Sequence, residues 1–337
     1  DTPMFRDLSQ DSGCAATKRT SMLSPAVAKK LISSSVMKSE LRGMIFHMSR
    51  CGSTAAINAF ATLPHTFAYS EPSQLLSSIQ TGGDLTSQEA IYQLKVLAAL
   101  MGAPGMNDKN GAADTPRVVV KLSSAFTHLM PLFHRAFPTT PKVFLYRSID
   151  QVVASHLQTK TNSPRCAASK TRPPPTLTSM LFDKELKDMN DEEYCVAYEA
   201  SLVESALRVA EREIHADKDM KYPPIFVPYE HLQEEFYTKI SPHFGYNDID
   251  TTVVVEKTAI AFSTYSKLGH RPGKSQEYVD DSKKKSESVS ADVKSMAASV
   301  QEKLWQRIES VREFLSPADI AQLSQRGKKE GDTTVAR

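Results

Sequence analysis

Apolar and polar positions alternate along the chain in blocks that read as strands followed by helices. Met44 to Met48 form a short apolar run that passes into a small-residue turn, Ser49-Arg50-Cys51-Gly52-Ser53-Thr54, and then into a stretch with helical character. Residues 117–122 are a β-branched run of the kind that forms buried strands, and 125–137 follow as a helix broken or kinked near Pro131. Lys142–Tyr146 is another strand, with 148–157 as the next helix. Residues 225–229 form a shorter strand, which Pro228 restricts to a sheet edge or to its own end. Strand and helix in repeated succession predict an α/β fold with a central parallel β-sheet flanked by helices.

Other helices are marked by their ends. Thr86-Ser87-Gln88-Glu89 has the form of a capping box, after which Ile91, Leu94, Leu97 and Met101 share one helical face. Asn190 stands as cap before a long helix over 190–214, with acidic residues in its first turn. Helices resume at 291–314 and 317–325, the second with Ser316 as cap, Pro317 at the first position and Gly327 beyond it. Residues 102–116 form a Gly/Asn/Pro loop. Residues 161–178, basic and Pro-rich, exceed what a simple connection needs and read as a lid or substrate loop. Residues 263–290 are polar and basic, and Lys283 to Lys285 read as a solvated helix face. The expected division is a polar arm over 1–40 with a helix near 25–36, a single domain over 41–327 and a disordered tail over 328–337.

Composition narrows the classes. The 337 residues are 40% hydrophobic and 24% charged, ordinary for a globular chain with a sizeable core. A net charge of +2 gives no global case for nucleic acid, so an anion site must be a local arrangement. The four cysteines, Cys14, Cys51, Cys166 and Cys195, are scattered with no CxxC pair, which predicts reduced thiols rather than a disulfide framework or zinc site. The nine histidines show neither HxH nor HExxH spacing, so no metal is expected. No stretch reaches the roughly 20 apolar residues that span a bilayer, and no signal peptide is visible, so the expected location is cytoplasmic.

The turn at 49–54 carries the chemistry. Backbone N–H groups at a helix start cradle anions, and the helix dipole reinforces them. Gly52 permits close approach, Ser49, Ser53 and Thr54 offer hydroxyls, and Arg50 offers a fixed fork of charge. Cys51 reads as a small loop residue. The residue before Ser53 is Gly52 rather than the lysine of GxxxxGK[ST], which disfavours nucleoside-triphosphate chemistry.

SRCGST resembles the 5′-phosphosulfate loop of sulfotransferases that use 3′-phosphoadenosine 5′-phosphosulfate (PAPS). Two further motifs resemble that family in its order. KVFLYRSIDQVVAS places Arg147 and Ser155 eight residues apart after a strand, and VPYEHL supplies Tyr229, Glu230 and Leu232. Glu71 lies 21 residues after Arg50, and Lys121 lies 26 before Arg147, spacings similar to those of the tyrosylprotein sulfotransferases. The histidine base that cytosolic small-molecule sulfotransferases keep two residues after a comparable lysine is here Ser123. SRCGST is also similar to the loop of less characterised sulfotransferase-like proteins.

The resemblance implies a P-loop-like sulfotransferase fold and roles for individual residues. Ser49, Arg50, Cys51, Gly52, Ser53 and Thr54 would hold the 5′-phosphate. Arg147 and Ser155 would grip the 3′-phosphate, and Tyr229 would pack against the adenine. Ser266, Lys267 and Lys274, in a Gly- and base-containing segment, would close over the nucleotide. Glu71 would be the general base, with Lys121 and Arg50 countering charge on the transferring group and leaving phosphate. The implied donor is PAPS, the product 3′-phosphoadenosine 5′-phosphate (PAP), and the acceptor a small-molecule alcohol, phenol or amine. Two readings stand beside this one: a non-catalytic nucleotide-binding protein that keeps the fold, and a sulfotransferase acting on protein or glycan.

Overall fold

The computed structural model describes residues 40–72, 88–102, 117–158, 165–171, 173–174, 182, 184–215, 223–264 and 282–315. The expected arm and its helix, the helix at 317–325 and the tail lie outside these residues, as does the proposed cap at Thr86 and Ser87. The described chain opens with β1 (Glu40–His47), α1 (Ser53–Ala61), β2 (Thr66–Ser70), α2 (Gln88–Gly102) and β3 (Arg117–Lys121). A 3-10 turn over Ser124–Leu129 leads into α3 (Met130–Ala136), then β4 (Lys142–Tyr146) and α4 (Ile149–Leu157). The second half runs through α5 (Asp191–His215), β5 (Ile225–Pro228), α6 (Leu232–Glu235), α7 (Thr251–Ser263), α8 (Ser282–Glu287) and α9 (Ala291–Phe314).

The five strands form one parallel sheet in the order β2-β3-β1-β4-β5. The α/β class with a central parallel sheet is as the strand-helix alternation predicts. β5 pairs with β4 alone, so Pro228 sits on a sheet edge, where its missing N–H costs no ladder bond. β2 occupies the other edge. The register of β1 against β3 shifts between Leu41 and Gly43. There a Cβ on Gly43 would lie 2.2 Å from the Phe244 ring, so the strand can pass Phe244 only with glycine.

Apolar side chains lock helices to the sheet. Phe60 of α1 meets Phe236, Phe244 and Tyr246 at centroid distances of 4.8, 5.2 and 5.2 Å. Phe133 of α3 meets Phe46 of β1 and Phe126 at 5.6 and 5.8 Å. α9 is bound to α5 by Arg307, which pairs with Glu211 at 2.7 and 2.8 Å and with Glu204 at 2.5 Å. Lys142 at the head of β4 is wholly buried and donates to the carbonyls of Phe137 and Thr140, each at 2.7 Å; burial pushes its pKa down to about 7.

Three expectations need correction. The helix expected over 125–137 is interrupted beside Pro131 as expected, but its first part, Ser124–Leu129, is a 3-10 turn, and Pro131 sits in the first turn of α3, where a missing N–H is harmless. Of the three lysines read as a solvated face, Lys285 is buried, because α8 lies against α4. Cys166 and Cys195 are not reduced thiols: they form a disulfide with Cα atoms 5.2 Å apart. Cys166 lies in a 3-10 turn (Arg165–Ser169) and Cys195 in α5, so their proximity comes from tertiary packing that a spacing of 29 residues does not reveal.

Candidate active site

Every strand of the sheet ends at a residue singled out in the sequence. β1 runs into the loop at 48–52, β2 into Glu71, β3 ends on Lys121, β4 runs into Arg147 and β5 into Tyr229. All strands are parallel, so these residues gather along one sheet edge, the carboxyl ends, where open α/β sheets bind ligands. Read across the sheet, their order is Glu71, Lys121, loop, Arg147, Tyr229. The loop sits on β1, the central strand, with β3 and β2 on one side and β4 and β5 on the other.

The loop owes its shape to left-handed backbone. Arg50 has φ of 59° and Gly52 of 79°. Gly52 is also the N-cap of α1 and supplies no side-chain cap, so the helix start is left to other partners. Ser53 is buried, while Thr54 and Arg50 are half-buried. Ser49 turns inward: its N–H donates to Glu199 Oε2 at 3.0 Å, and its hydroxyl meets that of Ser124 at 3.1 Å. Cys51 donates its thiol to the Met48 carbonyl at 3.0 Å, and burial pushes its pKa up to about 12, so it is an inert packing residue.

Glu71 and Lys121 form an ion pair. Lys121 is 1% exposed and Glu71 is 31% exposed, so the ammonium is fixed inside while the Glu71 side chain reaches solvent. The Glu71 N–H also donates to the Lys121 carbonyl at 2.8 Å, and Glu71 has φ of 53°. Among the described residues the non-glycine residues with positive φ are Arg50, His65 and Glu71. Two of the three are predicted site residues, and such strain collects where function requires it. Next to the pair, His47 is buried between the carbonyls of Met48 and Leu122, each 2.8 Å from a ring nitrogen. Burial, helped by the charge of Lys121, pushes its pKa down to about 4.

Arg147 is 3% exposed, and its guanidinium lies 4.1 Å from the centroid of the Tyr229 ring. Its Nε donates to Gln151 at 2.7 Å and its Nη2 to the Ser282 hydroxyl at 2.7 Å. A longer contact of 3.5 Å reaches the Arg50 carbonyl, so Arg147 touches the loop directly. Tyr229 packs over the loop as well: a Cβ on Gly52 would lie 2.9 Å from its Cδ2. Ser155 is half-buried on α4, four residues after Gln151 and hence on the same helical face as the side chain that binds Arg147 Nε. Ser148 and the Ile149 N–H at the start of α4 are held by Gln301 of α9.

The sequence reading missed Gln151, Ser282 and the buried Glu199. His156 is 5% exposed and pairs with Glu199. Glu199 had a signal: it lies four residues after Cys195 and three before Leu202, on the apolar face of α5. Ser266, Lys267 and Lys274 lie outside the described residues. Among the described residues no group of three or more His, Cys, Asp or Glu side chains is placed to hold a metal ion, and no helix is long and apolar enough to cross a membrane. The chain matches no protein-family model, and no curated protein is significantly similar to it.

Proposed function

We propose that this chain is a sulfotransferase that moves a sulfuryl group from PAPS to a hydroxyl or amine, with a small molecule as the acceptor. The observation that carries the reading is the order Glu71, Lys121, loop, Arg147, Tyr229 along the carboxyl edge of the sheet. It supplies a base, a buried cation, an anion cradle and a second cation beside an aromatic ring, in the sequence that a donor with two phosphates and a neighbouring acceptor would need.

In this scheme the acceptor oxygen or nitrogen attacks sulfur in line with the bridging oxygen of the donor. The new bond to sulfur forms as the sulfur–oxygen bond to the 5′-phosphate breaks. The acceptor's proton passes to the Glu71 carboxylate, and PAP departs with the added negative charge. Lys121 and Arg50 counter that charge with the amides of the loop, and positioning and electrostatics supply most of the rate. Glu71 shares its carboxylate with Lys121. Arrival of the anionic donor draws the ammonium away and leaves Glu71 to accept the proton. Arg147 and Ser155 take the 3′-phosphate. The hydroxyl of Ser282 occupies the Arg147 fork and is exchanged for, or joined to, that phosphate.

The test is a thermal-shift titration with PAP beside ATP, ADP and AMP, on the wild type and Arg147→Ala. A ligand at a hundred times its Kd raises stability by about 2.7 kcal/mol. The reading expects a shift with PAP alone, lost in Arg147→Ala. A shift with ATP instead returns the loop to kinase chemistry, and no shift with any nucleotide leaves a retained fold without its chemistry. Glu71→Gln separates catalysis from binding: turnover falls about 10²–10⁴-fold while PAP binding persists. Full activity in Glu71→Gln removes the base role.

A further inference from the structure

Glu199 is 0% exposed, in the middle of α5, and it faces two donors. Its Oε2 accepts from the Ser49 N–H at 3.0 Å, and its Oε1 lies 3.2 Å from His156 Nε2, a contact that joins a carboxylate to a ring only with the proton on Nε2. Ser49 opens the loop after β1. His156 is the immediate neighbour of Ser155 on α4, the helix that begins beside Arg147. One buried carboxylate thus ties together the two segments assigned to the two phosphates.

A buried carboxylate is expensive, and an apolar side chain of like size would pack there at lower cost. What a leucine cannot do is accept from two donors at once. Nor can glutamine meet the same pair unchanged, since its amide offers one acceptor oxygen and one NH₂. The charge of Glu199 is also felt at Cys51 in the loop and at His128 in the turn Ser124–Leu129. The disulfide at Cys195 lies one helical turn away on the same side of α5, which anchors the carboxylate's backbone covalently to the turn at Arg165–Ser169.

We propose that Glu199 is a positioning residue that couples the loop at 49–54 to α4, so that the two phosphate grips of the site are set as one unit. The nucleotide half of this statement rests on the donor proposed above; the coupling itself does not.

Two measurements test it on the full chain, with Glu199→Gln and, in case that variant folds poorly, His156→Gln and His156→Leu. The first is hydrogen exchange without ligand, followed in peptides covering 46–56 and 149–158. Glu199→Gln and His156→Leu are expected to speed exchange in both segments together. His156→Gln keeps an NH₂ donor for Glu199 and is expected to restore protection. Faster exchange in only one segment, or in neither, overturns the coupling whatever the nucleotide result. The second is the Kd for PAP in a double-mutant cycle of Glu199→Gln with Arg147→Ala. Glu199 joins the loop to α4, the helix that begins beside Arg147, so the cycle is expected to show at least threefold coupling. Independent effects would overturn the proposal, since a carboxylate that merely shaped the loop would leave the Arg147→Ala penalty intact. Should the wild type bind no PAP while the exchange result holds, the donor assignment falls and the coupling stands.

Discussion

Gly52→Ala would put a Cβ 2.8 Å from Leu232 Cδ2 and 2.9 Å from Tyr229 Cδ2, on backbone whose φ of 79° disfavours any side chain. The expected cost is roughly 1–3 kcal/mol, read by urea unfolding, with weakened nucleotide binding because Tyr229 also stacks on Arg147. His243 makes a prediction about acid. Burial, helped by the charge of Lys142, pushes its pKa down to about 4. The unfolded chain therefore takes the proton first as pH falls, and stability is lost from about pH 6.5 down to about pH 4. Relative to wild type, His243→Leu is expected to gain about 2 kcal/mol on moving from pH 7.5 to pH 5. An unchanged difference between the two pH values would show that His243 does not titrate this way. At this scale the sequence was legible where short motifs mark residues: Arg50, Glu71, Lys121, Arg147 and Tyr229, each singled out by such a motif, all lie at or just beyond the carboxyl ends of the strands. Glu199 and Ser282 escaped because their partners Ser49 and Arg147 are 150 and 135 residues away.

Among the elements, those with clear ends were readable and those made by context were not. Asn190 and Glu193 cap each other's backbone N–H groups at 2.7 and 2.9 Å, and α5 starts where that signal places it. α9 likewise begins after Ser290, whose hydroxyl accepts from the Val293 N–H. By contrast β2, with four of its five residues only half-buried, carries no continuous apolar run, and the strand reading passed over it. α7 opens with Thr-Thr-Val-Val-Val, β-branched residues that disfavour helix. Its cap at Asp250 and its packing against α1 override that preference. The join between α5 and α9 carries its own prediction. Arg307→Met leaves the nearly buried Glu204 with Arg208 as its remaining charge partner and is expected to cost roughly 1–3 kcal/mol. Lys184→Met, which breaks the more exposed pair with Glu193, is expected to cost less than about 1 kcal/mol. Equal losses in denaturant unfolding would mean that burial does not separate the two pairs.

For the molecule as a whole, the Cys166–Cys195 bond closes a loop over 29 residues, worth roughly 3–4 kcal/mol in chain entropy. Reduction is expected to lower the unfolding temperature, and denatured unreduced protein is expected to titrate two fewer thiols than the reduced chain. Equal thiol counts would remove the bond. Disulfides persist in oxidising surroundings, so the bond replaces the expectation of reduced thiols. The parallel sheet has a different consequence. With Glu71 and Lys121 on the β2 and β3 side of the loop, and Arg147 and Tyr229 on the β4 and β5 side, the two ends of the proposed reaction are carried by opposite halves of the sheet. Under the proposed function, change on the β2 flank would alter the acceptor while the β4 flank kept the proposed donor, so specificity could be swapped one half of the sheet at a time.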